Sequence, residues 1–213
     1  MPMLSDTVHD LAVLPHRDKY GRRIVVYKMW DVNKWPYKSG MEALYVIMLL
    51  LAREPKTQIA GVTMIGDFSG MSRKHMSTSL EDIRAWANLI SVFYSLLAHD
   101  PSIKCISSLC SQGGVPIWFH RSHICNAPWL FEMLFTMFKP FLSETARKGV
   151  VLHKKNAGWD ELHEKIGNAD ILPEVFGGRA GIIDNTEYLK SLMEASDYFE
   201  TLRNCCRKGD SSP

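Results

Sequence analysis

This chain of 213 residues has no long apolar run. No stretch reaches the roughly 18 uninterrupted apolar residues that a membrane-spanning helix requires. The first residues, Met1 to Leu14, include Asp6, His9 and Asp10 and no continuous apolar core, which argues against a secretory leader. Cysteine is sparse. Cys105, Cys110, Cys125, Cys205 and Cys206 are odd in number and form no CxxC pair, so neither a disulfide framework nor a zinc site is indicated. An intracellular chain with reduced thiols is the expectation. An excess of one charge is missing too. Lys and Arg number 25 against 23 Asp and Glu, a formal +2, which gives no electrostatic reason to expect nucleic acid.

Signatures of catalysis are also wanting. Neither GxxxxGK[ST] nor GxGxxG occurs. Gly66-Asp-Phe-Ser-Gly70 resembles a nucleophile elbow, but its Ser stands three residues after the first Gly instead of two. His163-Glu164 lacks the second His of HExxH, and no carboxylate pair is spaced for acid–base work. The chain is therefore expected not to be an enzyme and to carry neither metal nor cofactor. Asp67 ends an apolar strand, where open α/β sheets bind ligands. It reads either as a ligand or metal carboxylate or as a side chain bonded to the Ser69-Gly70 turn; the second is favoured.

What is present is a chain rich enough in apolar residues, 46%, to build a packed core. Asp18-Lys-Tyr-Gly-Arg22 reads as a turn with Gly21 at positive φ, and Arg23 to Lys28 as a β-branched strand. Met41 to Ala52 reads as a buried helix ending before Pro55, and Ile59 to Asp67 as a central parallel strand. A helix from Ser79 to about Leu97 follows. His123 to Asn126 and Gly149 to His153 are strands, Asp160 to Ile166 is a short helix, and Asp170 to Gly178 is a turn-rich segment. An amphipathic helix from about Glu187 to Arg203 closes the chain. This alternation predicts an α/β fold with a mostly parallel sheet and helical crossovers.

The most informative segment is Trp129-Leu-Phe-Glu-Met-Leu-Phe-Thr-Met-Phe138, preceded by Pro128 in the first turn. Only Glu132 and Thr136 are polar, whereas a surface helix normally has a broad polar face. Two readings stand. The segment is a fully buried core helix, or it is a lid whose inner face lines an apolar cavity and whose outer face meets lipid. Lys139-Pro140 breaks the pattern, and Arg147, Lys148, Lys154 and Lys155 follow, near enough to meet an anionic surface.

Several strings carry a family resemblance. They are Asp18-Lys-Tyr-Gly-Arg22 with Trp30-Asp31, Glu54-Pro-Lys-Thr-Gln58, Ile65-Gly-Asp-Phe-Ser-Gly70, Asn126-Ala-Pro-Trp-Leu-Phe131, Met137-Phe-Lys-Pro-Phe-Leu-Ser-Glu-Thr145, Glu161-Leu-His163 and Ile171-Leu-Pro-Glu-Val-Phe-Gly-Gly178. In this order, over about residues 14 to 200, they resemble the CRAL-TRIO lipid-binding domain. The likeness is to the group of the alpha-tocopherol transfer protein, retinaldehyde-binding protein and clavesins.

The resemblance implies a hydrophobic cavity closed by a mobile gate helix, here about Pro128 to Phe141. It also implies transfer of a tocopherol, retinoid or phospholipid between membranes. The expected lining is Val62, Met64 and Ile65, then Trp86, Leu89 and Ile90, then Ile124, and on the gate Leu130, Phe131, Leu134, Phe135 and Phe138. The partners it implies are a lipophilic small molecule and a transient membrane surface, with phosphatidylinositol bisphosphate as a further ligand class. Localisation would be cytoplasmic and transiently peripheral.

Departures from the pattern exist. Trp118, His120, Thr145 and Gly149 stand where cations are expected, leaving Arg121, Arg147 and Lys148, with Lys139 beside the gate, as the phosphoinositide or membrane contacts. The organisation expected is an extension over 1–13, the lipid-binding domain over 14–186 with an insert at 91–111, and a helix and tail over 187–213. Family members usually carry a small helical domain ahead of this one. The alternative is a truncated form, or a regulatory or interaction module that keeps the fold without transfer.

Overall fold

The computed structural model describes residues 11–28, 44, 46–71, 117, 119–142, 144–153, 158–181, 186–195 and 197. They contain a five-stranded sheet in the order β1-β2-β3-β4-β5. Its strands are β1 (Leu11–Arg17), β2 (Arg23–Lys28), β3 (Val62–Asp67), β4 (Phe119–Cys125) and β5 (Val150–Leu152). β1 runs antiparallel to β2, and every other pairing is parallel. The α/β class with a mostly parallel sheet therefore holds.

The faces follow from alternation. Val13, Val25, Val62, Met64 and Phe119 pack on one side against Ile47, Met48, Leu51 and Ala52, with Leu142 and Ala146 from further along the chain. Ala12, Leu14, Ile24, Val26, Ile65 and Cys125 pack on the other side against Leu162, Ile166, Leu172 and Phe176. All six residues of β3 are buried, as a central strand covered on both faces requires.

Several boundaries differ from expectation; the strand expected at Gly149–His153, for instance, is Val150–Leu152, with Gly149 ending a helix. The strand expected from Ile59 begins at Val62, because Pro55–Ala60 is a short helix, α1. Pro55 suits a helix start, where its missing N–H costs nothing. Gly61 ends α1 at φ 85, with its N–H bonded to the Thr57 carbonyl. The strand expected from His123 starts earlier, at Phe119, and stops at Cys125, since Asn126 bends the chain at φ 53. β1 was not expected, and Leu11 to Val13 of it lie inside the stretch assigned to the extension. The helix expected at 41–52 is described at 44 and 46–51, where it is helical. The helix expected at Ser79 to Leu97 and the insert at 91–111 lie outside the described residues.

At the amino ends of β2 and β3 a polar clasp joins three elements. Arg17 Nη2 and Arg23 Nη2 donate to the Glu54 carboxylate at 2.7 and 2.9 Å, and the Thr57 hydroxyl donates to it at 2.6 Å. Burial pushes the Glu54 carboxyl up, but the bonds from Arg23 and Thr57 and the arginine charges outweigh it and hold it below the ordinary range. Next to it, Asp18 Oδ1 accepts from the backbone N–H groups of Tyr20 and Arg22, each at 2.9 Å. That closes the 18–22 turn, with Gly21 at φ 78 as expected.

Candidate apolar ligand site under the lid helix

Helix α2 spans Trp129–Phe138, the bounds read from sequence, and continues into a 3-10 turn at Lys139–Phe141. Pro128 is its N-cap, not a first-turn residue, with extended backbone at φ −69. Glu132 sits in the first turn, where a carboxylate suits the helix dipole. The Thr136 hydroxyl donates to the Glu132 carbonyl at 2.8 Å, which satisfies it without a polar partner elsewhere.

The helix is apolar on two sides. Leu130 is buried, and Phe131 and Phe135 are half-buried against the sheet. On the outer side Trp129, Met133 and Met137 are 67%, 39% and 51% exposed. They recur every fourth residue, so they share one face. A buried core helix would not leave such a stripe in solvent; among the described residues nothing covers it fully.

A chain of aromatic rings links the inner face to the carboxyl ends of β2 and β3. Tyr27 and Phe68 meet edge to face with centroids 5.8 Å apart. Phe68 and Phe131 do the same at 4.7 Å. Phe131 and Phe135 stack at 6.1 Å. Gly66 makes room for this arrangement: a Cβ there would collide with the ring of Tyr27 and sit 2.7 Å from Phe68. Tyr27 and Phe68 were not singled out in the sequence. Their signal was present, since Tyr27 follows Val25 on the same face of β2 and Phe68 stands just past β3.

The expected lining is divided by the sheet. Val62, Met64 and Ile124 face α2, with Met64 in one cluster with Phe135 and Ile124 in another with Phe131. Ile65 is a correction: it faces the opposite layer, against Leu162 and Phe176, because neighbouring strand residues point to opposite faces. Leu134 and Phe138 belong to α2, but their side chains lie outside the described set, as do Trp86, Leu89 and Ile90.

The expected basic residues lie in three places. Arg121 is half-buried on β4, where its charge bears on Arg22 and on His120. Lys139 is exposed at the end of α2. Arg147 and Lys148 are exposed in the last turn of α3 (Glu144–Gly149), and Lys148 pairs with Glu144 at 2.6 Å.

Both ends of α2 are tied down. Asp67 Oδ1 accepts from the Ser69 N–H at 3.0 Å and from Asn126 Nδ2 at 3.1 Å, and the Ser69 hydroxyl donates to Oδ2 at 3.0 Å. Asp67 thus braces the turn after β3, as favoured, and also the bend just before Pro128. Beyond α2, Leu142 and Ala146 are buried in the sheet-facing core.

The other face of the sheet holds a buried polar pair. His123 Nδ1 and His153 Nε2 are 2.9 Å apart, and His153 Nδ1 lies 3.7 Å from Glu161 at the start of α4 (Asp160–Ile166). Burial, then the charges of His153, Lys165, Arg121 and His120, push His123 down to about 3. Burial also lowers His153, partly offset by Glu161. Cys125, two residues further along β4, is pushed up to about 12 by burial and by Asp67.

The described residues thus form an α/β domain whose mostly parallel sheet is roofed on one face by a helix that is apolar on both sides. The sequence profile described as CRAL/TRIO domain matches residues 8–111 and 99–178, and the chain belongs to that family. The two matched segments meet at residues 99–111, within the stretch read as an insert. Among known proteins, Clavesin-1 from Rattus norvegicus is 29% identical over 200 residues, covering 91% of this chain and 50% of its own length. Alpha-tocopherol transfer protein-like from Homo sapiens is 28% identical over 191 residues, covering 89% of this chain and 49% of its own. The chain thus spans about half the length of these relatives. The crystal structure of Sfh5 aligns with a TM-score of 0.43 at 14% identity, over 85% of this chain and 57% of that one, a likeness too loose to weigh further.

Proposed function

We propose that this domain encloses one hydrophobic small molecule or lipid between the α2-facing side of the sheet and the lid, and passes it to or from a membrane without covalent chemistry. The observation that carries this reading is the two-sided apolarity of α2. Its inner face, Leu130, Phe131 and Phe135, turns toward Met64 and Ile124. Its outer face presents Trp129, Met133 and Met137 to solvent. Burial of a few hundred Å2 of ligand surface is worth several kcal/mol at about 25 cal/mol per Å2. The name of the human relative points to tocopherol as one member of the ligand class.

The outer face is the docking surface for an anionic bilayer, with Lys139, Arg147 and Lys148 exposed beyond its carboxyl end. These cations, and Arg121, are also the groups that would meet a phosphoinositide headgroup. In this reading the protein works in the cytoplasm and joins membranes only transiently.

The test uses delipidated protein and a fluorescent tocopherol or retinoid analogue. Saturable binding, weakened in the Phe131→Ala variant, is expected. Failure to take up any lipid from a cell extract, while vesicle binding persists, would establish instead an interaction module that has kept the fold without transfer.

A further inference from the structure

Among the described residues, two of the three exposed apolar side chains of α2 are methionines. Met133 and Met137 are 39% and 51% exposed, whereas Met48 and Met64, in the sheet-facing core, are 0% and 7% exposed. Attack on a thioether requires that the oxidant reach the sulfur, so exposure sorts these residues. The chemistry closes with one reagent. Hydrogen peroxide transfers an oxygen atom to the methionine sulfur, the sulfur is oxidised by two electrons to a sulfoxide, and water leaves. The product is polar, and sulfoxide reductases reverse the step.

We propose that Met133 and Met137 are a peroxide-sensitive modification site, and that their conversion to sulfoxides detaches the lid from a lipid surface. This rests on the docking reading given above. The exposed face has little apolar surface in reserve. Glu132 and Thr136 share the solvent side of the helix, so among its described residues Trp129 is the one exposed large apolar side chain that oxidation of the methionines leaves unchanged. Losing the burial of two thioether side chains lowers membrane affinity on the order of tenfold or more.

The experiment treats the whole chain with graded hydrogen peroxide. It maps sulfoxides by peptide mass spectrometry and measures co-sedimentation with vesicles of phosphatidylcholine and phosphatidylserine. Oxidation is expected at Met133 and Met137 before Met48 and Met64, with vesicle binding falling in step. Methionine sulfoxide reductase with a thiol reductant should restore binding. The Met133→Leu/Met137→Leu variant is read as the ratio of treated to untreated binding within that protein, and this ratio should not fall. Undiminished binding with both sulfurs oxidised would overturn the site, as would a double variant as peroxide-sensitive as the parent. If the untreated chain does not bind vesicles, the docking reading itself fails and takes the detachment with it.

Discussion

Phe68, just past β3, and Phe131, in the third position of α2, meet edge to face with centroids 4.7 Å apart. Such a contact contributes about 0.5–1.5 kcal/mol beyond area burial. It joins the sheet to the helix proposed as the gate. Phe131→Ala should therefore loosen the lid before it loosens the fold. Hydrogen exchange in residues 129–138 is expected to rise about tenfold, a change of about 1.4 kcal/mol, while β2 and β3 keep their protection. Equal acceleration in lid and sheet would show that α2 is not a separate opening unit.

Gly66 should not tolerate a methyl group. Gly66→Ala places a Cβ against the rings of Tyr27 and Phe68, and overpacking of this kind costs about 1–3 kcal/mol. Tyr27→Val, which removes the ring, should recover part of that loss. A urea-unfolding double-mutant cycle reads the coupling, and strict additivity of the two changes would refute the collision.

The His123–His153 pair makes stability depend on acid. Both folded-state values lie below the ordinary 6.5, so below that pH the unfolded chain binds more protons than the folded one. Stability is full above about pH 6.5 and falls as pH drops toward about 3, the His123 value. One proton fits between nitrogens 2.9 Å apart, but a fully protonated pair sets two donors against each other. Each histidine contributes up to about 1.4 kcal/mol per pH unit while only its unfolded form is protonated. Unfolding midpoints from about pH 7 to about pH 5 should therefore fall, and less steeply in the His123→Leu/His153→Leu variant. An unchanged slope in that variant would place the acid sensitivity elsewhere.

Cys125 should be chemically silent in the folded protein. It is fully buried, and its thiol, pushed up to about 12, forms almost no thiolate near neutrality. Iodoacetamide followed by peptide mass spectrometry should label Cys125 only after denaturant is added. Labelling of the native chain at the free-thiol rate would contradict the burial.

The strongest periodic signals were legible in the sequence. β2, α2 and α4 have the bounds that β-branching, apolar patterning and an acidic first turn led one to expect. β1 was obscured by Pro15, which is tolerated because the strand lies at the sheet edge and its register is irregular between Val13 and Arg17. α1 is six residues long and starts on a proline, too short for a 3.6-residue period to show. The site was half legible. An apolar run such as Val62 to Ile65 does not say which alternate residues face which layer, so Ile65 was grouped with Met64 although the two point apart. Tyr27 and Phe68 escaped because their role depends on Gly66, whose missing side chain marks a space only once the rings around it are known.

The bond from Asn126 to Asp67 has a mechanical result. With that brace at one end and Leu142 and Ala146 sunk in the core at the other, α2 is held like a spindle between two bearings. Swinging outward as a whole would have to break that bond or lift Leu142 and Ala146 out of the core.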